Sequence, residues 1–118
     1  MVIQFVYMDT NLIIISRKDK KMTSKQRAYL RSLASTMDPI FQIGKASVTP
    51  EITAAIEEAL NARELIKIHV LKNCMDDGRS IAEVLAERTH SEVVQVMGKK
   101  ITLYKPSKDN PKIILPKA

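Results

Sequence analysis

Cysteine, glycine and tryptophan are scarce in this chain of 118 residues, which has one cysteine, three glycines and no tryptophan. A single cysteine, Cys74, excludes a disulfide framework and fits a reducing compartment, so we expect a cytoplasmic protein. Cys74 also lacks a second cysteine at the spacing of a redox or metal motif. We therefore interpret it as a structural residue rather than a nucleophile.

Residues suited to catalysis or metal binding are also sparse. The two histidines, His69 and His90, have no acidic or cysteine partner at the spacing of metal ligands. Glu57 and Glu58 are adjacent, so on a helix they would point in different directions and make a poor acid–base pair. The sequence therefore predicts a protein that is not an enzyme and has neither a metal site nor a cofactor.

Long apolar runs are missing as well. The apolar runs within residues 1–21 are too short for a membrane-spanning helix, and basic residues follow them instead of preceding them as in a secretory signal. We therefore expect no membrane partner, and we interpret residues 1–21 as a leader before a folded unit that begins at Met22. In this interpretation the leader is non-native or poorly ordered, and the alternative is a genuine added strand or hairpin.

Positive charge is in excess and unevenly distributed. The formal net charge is +6. Residues 17–31 hold seven basic residues and one acidic residue, and residues 99–117 hold six basic residues and one acidic residue. Residues 51–92, in contrast, hold five basic and nine acidic residues. This separation predicts a basic side that faces an anionic partner. The chain has only five aromatic residues, which argues against binding nucleic acid by stacking bases on a sheet. Recognition of backbone and shape fits better.

Hydrophobic periodicity predicts the order helix, strand, helix, strand, helix, strand, strand. The predicted helices are 23–37, 49–62 and 80–88, and the predicted strands are 40–43, 65–71, 92–97 and 100–105. Ser80 and Glu83 match a capping box at the start of the third helix, and Gly98-Lys99 suits a type II′ hairpin. We expect a compact α/β fold, a two-layer-type sandwich with a four-stranded mixed sheet, an antiparallel last pair and about three helices. Beyond Pro106 we expect a loose tail, in which residues 112–115 are a candidate edge strand.

The stretch from Phe41 to Ile52 joins a strand, a turn and a helix start. Gly44 can adopt the positive φ of a tight turn, and Thr49-Pro50 fits an N-cap followed by the first helical position. Free backbone N–H groups and Lys45 would then face one point, an arrangement that binds phosphate. The stretch matches neither a Walker A loop nor a dinucleotide-binding fingerprint, so an ordinary solvated turn is the alternative.

From Met22 onward the chain resembles the CRM domain (chloroplast RNA splicing and ribosome maturation), and in particular the bacterial single-domain YhbY-type proteins. The similar segments are residues 23–34, 39–45, 58–67, 95–99 and 103–107. The resemblance implies an RNA-binding domain over residues 22–106, followed by a tail over residues 107–118. It implies a fold like the C-terminal domain of translation initiation factor three. It also implies association with rRNA in precursors of the large ribosomal subunit and a role in their maturation.

The resemblance further implies that a Gly-x-x-Gly loop with neighbouring basic residues holds the RNA backbone. Here the loop has serine in place of the second glycine. If that position requires a positive φ, serine carries a strain of about 1 kcal/mol or more, although its hydroxyl could also donate to a phosphate. Three basic residues of the first helix complete the prediction. Lys25 and Arg31 match the family, and Arg27 lies beside Arg31 on the helical wheel. The predicted RNA-binding residues are Gly44, Lys45, Ala46, Ser47, Lys25, Arg27 and Arg31.

The sequence thus predicts a monomeric RNA-binding protein with rRNA as its partner. A DNA-binding module would use the same charges, but no predicted helix resembles a recognition helix. A protein-interaction module, in which the basic patches serve only solubility, is the other alternative.

Overall fold

The computed structural model describes residues 22–107 and 111–117, so the predictions for residues 1–21 lie outside the described residues. The elements occur in the predicted order. They are α1 (Ser24–Ala34), β1 (Phe41–Ile43), α2 (Pro50–Arg63), β2 (Leu65–Val70), α3 (Gly78–Thr89), β3 (Glu92–Met97) and β4 (Lys100–Tyr104).

The four strands form one mixed sheet in the order β1-β2-β4-β3. β1 is parallel to β2, with Phe41 opposite Ile68, and the other two pairs are antiparallel. A bulge interrupts the pairing of β3 with β4 between Val93 and Gln95. The predicted mixed sheet with an antiparallel last pair is therefore confirmed. Gly98 has φ +60° and Lys99 does not have a positive φ, which fits the predicted type II′ turn.

Two hydrophobic clusters lie on opposite faces of the sheet. Alternate residues of β2 contribute to different clusters. Ile66 belongs to the cluster under α2 and α3, whereas Leu65 belongs to the cluster under α1. The first cluster includes Leu60 and Leu85, and the second includes Leu30. The sheet therefore carries two helices on one face and a single short helix on the other.

Threonine caps the starts of both α1 and α2, and at α2 this confirms the predicted N-cap. The Thr23 side chain accepts from the Gln26 amide in a full capping box, and the Thr49 side chain accepts from the Ile52 amide. α1 ends at Ala34, three residues before the predicted end. The Lys67 ammonium donates to the carbonyl oxygens of Ala34 at 2.8 Å and Met37 at 3.2 Å, which satisfies backbone groups at this end.

The predicted start of the third helix at Ser80 is wrong. α3 begins at Gly78 and is capped by Asp77, whose carboxylate accepts from the Ser80 amide at 2.7 Å. Hydrogen bonds from Ser80 hold the pKa of Asp77 below its ordinary value. Two capping patterns overlap in this stretch, and the upstream aspartate caps the helix.

Residues 111–117 pack against the domain and form no regular strand, so the expectations of a loose tail and of an edge strand are wrong for this segment. Ile113 and Leu115 join the cluster under α1, and the Gln26 side-chain amide donates to the Pro116 carbonyl at 3.0 Å. Glu64, at the end of α2, accepts from three backbone amides beyond β4. These belong to Ser107, Lys112 and Ile113, at 2.7 to 2.8 Å.

Those contacts determine the charge state of Glu64. Burial alone would raise its pKa, but the three backbone hydrogen bonds and the nearby Lys112 ammonium bring the pKa below its ordinary value of 4.5. Burial, together with the negative charge of Glu64, raises the pKa of Tyr104. Glu64 is therefore an ionised carboxylate that holds Ser107, Lys112 and Ile113 at the end of α2.

Candidate nucleic-acid interface

Residues Gly44 to Ser47 form a tight turn directly after β1. The Ser47 amide donates to the Gly44 carbonyl at 2.9 Å, and Ser47 has φ +57°. Position 47 therefore adopts a positive φ, the condition under which serine carries backbone strain. Lys45 and Ala46 are exposed, and their amides have no hydrogen-bond partner among the described residues. The tip of the turn thus presents two unpaired N–H groups and one ammonium, which together can bind an anion.

The loop after β2, residues 71–77, packs against this turn. A Cβ on Gly44 would lie 3.3 Å from the Asn73 side-chain oxygen and 3.6 Å from Leu71 Cδ1, so glycine permits the close approach. The Ser47 hydroxyl donates to the Asp76 carboxylate. In this structure the hydroxyl is therefore bonded to a protein group, and it brings a negative charge to the turn.

The β3–β4 hairpin lies at the same end of the sheet, where β1 and β2 terminate. The Leu71 amide donates to the Ile43 carbonyl at 2.8 Å, and the Val70 amide donates to the Lys99 carbonyl at 2.7 Å. These bonds bring the turn, the loop after β2 and the hairpin together. Four exposed lysines result, which we call the basic edge: Lys45, Lys72, Lys99 and Lys100.

Only one member of the basic edge, Lys45, is among the residues predicted from the sequence. Lys72 lies in the loop after β2, whereas Lys99 and Lys100 lie in the β3–β4 hairpin, and the pairing of β2 with β4 brings them together. The adjacent Lys99 and Lys100, at the tip of a predicted hairpin within a basic run, were the available signal.

The three predicted residues of α1 have different locations. Arg31 is exposed in the last turn and lines a groove of about 400 Å³ together with Lys67 and Lys100, so it extends the basic edge. Arg27 is half-buried and donates to the Val93 carbonyl at 3.4 Å, on the side of β3. Lys25 is exposed in the first turn, at the other end of the helix.

The described ranges, 22–107 and 111–117, contain no group of three histidine, cysteine, aspartate or glutamate side chains placed to hold a metal ion. None of the helices in these ranges has the length and apolar character needed to cross a membrane.

These features define a small α/β domain with a basic edge. The family model for the CRS1/YhbY (CRM) domain matches residues 22–105. The chain therefore belongs to the CRM domain family, as the resemblance in its sequence indicated.

Curated relatives and a solved structure agree with this assignment. The chain is 48% identical over 95 residues to "Probable RNA-binding protein YqeI" of Bacillus subtilis, a match that covers 80% of this chain and 99% of that protein. It is 33% identical over 96 residues to an "RNA-binding protein" of Haemophilus influenzae, covering 81% and 96% of the two chains. The solution structure of a hypothetical Staphylococcus aureus protein, described as a candidate RNA-binding protein, superposes with a TM-score of 0.70 at 51% identity, covering 81% of this chain and 100% of that one.

Proposed function

We propose that this protein binds RNA, specifically rRNA in precursors of the large ribosomal subunit, and assists their assembly as a cytoplasmic monomer without catalysis. The observation that most directly supports this proposal is the turn from Gly44 to Ser47, where Lys45 of the basic edge lies beside backbone amides that have no partner among the described residues. Membership of the CRM family and the names of the curated relatives support RNA as the partner. The ribosomal role rests on the resemblance to the YhbY-type proteins.

The proposed mechanism is electrostatic. An RNA phosphate accepts hydrogen bonds from the amides of Lys45 and Ala46, and the surrounding lysines neutralise neighbouring phosphates with release of counterions. Arg31 extends this surface along the end of α1. Phe41 packs on the core and Tyr104 is buried, so neither ring is available for base stacking. Structured RNA, read by its shape and backbone, is the expected substrate.

The first experiment measures binding of an rRNA fragment over a salt series for the wild type, Lys45→Glu and Arg31→Glu. Each lost phosphate contact should flatten the slope of log K against log salt by roughly 0.7 to 0.9. Arg63→Glu is the matched control, because Arg63 is exposed at the end of α2, at the opposite end of the sheet from the turn. If Lys45→Glu and Arg31→Glu bind like the wild type, the basic edge is not the interface.

The alternatives give different results in the same assay. Equal affinity for duplex DNA and structured RNA would favour a general DNA-binding module. Absence of salt-dependent RNA binding would favour a protein-interaction module. The ribosomal part of the proposal is tested by sedimentation of cell extracts, in which the protein should travel with precursor large subunits and not with mature ones.

A further inference from the structure

One half of the sheet face under α1 is not covered by the helix. α1 packs over Leu65 and Tyr104, at the end of the sheet away from the basic edge. Beyond this contact, two rows of cross-strand neighbours form the floor of the groove of about 400 Å³. The rows are Lys67, Thr102 and Gln95, and then Lys100 and Met97.

Thr102, at the centre of the first row, has a buried hydroxyl without a partner. The residue is 2% exposed and lines the groove, and its hydroxyl makes no hydrogen bond with any described residue. Its neighbour Lys67 directs its ammonium to the carbonyls of Ala34 and Met37 at the end of α1. Because a buried hydroxyl without a hydrogen bond destabilises a fold, Thr102 is better explained by a ligand that reaches it.

The walls of the groove suit a ligand with both a charged and a polar part. Arg31 and Lys100 are exposed cations at its mouth, and Lys100 also belongs to the basic edge. Gln95 is half-buried on the floor, and its amide has no partner among the described residues. Met97 is 65% exposed beside it and offers an apolar, polarisable contact for a ring. The volume lies in the usual range for sites that hold a small molecule.

We propose that this groove accepts one unpaired nucleotide of the bound RNA. The base lies on Met97 with its polar edge against Thr102 and Gln95, and the phosphate lies between Arg31 and Lys100. A free anion would engage the two cations, but it would leave unused the threonine hydroxyl and the glutamine amide, each of which can both donate and accept. This inference rests on the proposed function, since the nucleotide belongs to the RNA held at the basic edge.

The test compares a short RNA hairpin that carries one bulged nucleotide with the same hairpin fully paired. The wild type should bind the bulged RNA more tightly. Thr102→Val, which keeps the side-chain shape, should reduce that preference by roughly threefold to tenfold, the effect of one neutral hydrogen bond. Its melting temperature should be equal to or above that of the wild type, because an unpaired hydroxyl is removed. Gln95→Ala should reduce the preference independently.

Two further variants separate this inference from the proposed function. Thr53→Val removes a hydroxyl on the opposite face, where it donates to the Thr49 carbonyl, and should leave the preference unchanged. Lys45→Glu should weaken binding of both RNAs by the same factor and preserve their ratio. If Lys45→Glu weakens neither RNA, the proposed interface fails instead.

The inference is overturned if the wild type does not distinguish the two RNAs, or if Thr102→Val and Gln95→Ala both keep the full preference. It is also overturned if Thr102→Val lowers the melting temperature by several degrees, since the hydroxyl would then have a structural role.

Discussion

Ser47 and Glu64 both have a positive φ, +57° and +68°, but their surroundings differ. Ser47 is half-buried at the turn of the basic edge, where its hydroxyl bonds to the exposed Asp76. Glu64 is 1% exposed and accepts hydrogen bonds from three backbone amides. Non-glycine residues adopt such conformations only when surrounding contacts offset the strain.

The backbone strain at Glu64 serves the fold, whereas the backbone strain at Ser47 lies at the candidate binding site. At Glu64 the contacts join the end of α2 to the backbone amides of Ser107, Lys112 and Ile113, so the strained residue holds these positions against the domain. At Ser47 the hydrogen bonds are fewer, and the resemblance to the CRM domain implies a glycine at this position. We therefore expect a substitution at Ser47 to cost less stability than a substitution at Glu64.

The largest effect is expected from Glu64→Ala. Removing the carboxylate leaves three backbone amides without their acceptor, so the free energy of unfolding should fall by about 3 kcal/mol or more. Urea unfolding measures the change, and Glu58→Ala, an exposed position of the same helix, should alter stability little. A loss below about 1 kcal/mol for Glu64→Ala would contradict a structural role for this strain.

A smaller effect on the stability of the fold should appear when the pH is lowered. Because the pKa of Glu64 is lower in the folded protein than its ordinary value of 4.5, the ionised carboxylate stabilises the fold fully above that value. The stabilisation is lost as the pH falls through the folded-state pKa. Melting temperatures measured from pH 6 to pH 2 should therefore fall more steeply for the wild type than for Glu64→Gln. Parallel curves would show that Glu64 does not contribute.

The next effect concerns the strain at Ser47. Ser47→Gly and Ser47→Ala both remove the hydroxyl that bonds to Asp76, but only glycine relieves the positive φ. The glycine variant should be more stable than the alanine variant by about 1 kcal/mol. Chemical unfolding of the two variants measures this difference directly, and equal stabilities would mean that the turn rearranges.

The smallest effect is expected from Asp76→Asn. The variant keeps an acceptor for the Ser47 hydroxyl but removes a negative charge close to the basic edge. RNA affinity should rise by about twofold in low salt, and the gain should disappear in high salt. Asp38→Asn is the control, because Asp38 is exposed before β1, at the opposite end of that strand from the turn. The same gain in both variants would indicate a response to net charge alone.

Local sequence signals predicted the parts of the fold that depend on neighbouring residues. The capping of α2 by Thr49, the proline that follows it and the turn at Gly98 each require only a few consecutive residues. The start of α3 was misplaced because Asp77 and Ser80 both fit capping patterns, and the sequence alone does not rank them. His90 ends α3 as its C-cap, with φ +57°.

The site was harder to predict, because its parts meet through contacts between distant residues. Arg27 and Arg31 share a flank of α1, but Arg27 is drawn to the Val93 carbonyl while Arg31 lines the groove. The partner of Ser47 is 29 residues away in the sequence, and the sequence gives no signal for that pairing. Thr102 has the sequence pattern of an ordinary strand residue, and only the structure shows that its buried hydroxyl has no partner among the described residues.

The outer strands of the sheet also affect how copies of this protein behave when crowded. Within the described residues, β1 and β3 form the two edges; β1 has only three residues, and β3 carries a bulge between Val93 and Gln95. Short and bulged edges are poor templates for a strand from another molecule. Many copies gathered along one long polyanion should therefore remain separate domains instead of joining edge to edge into β aggregates.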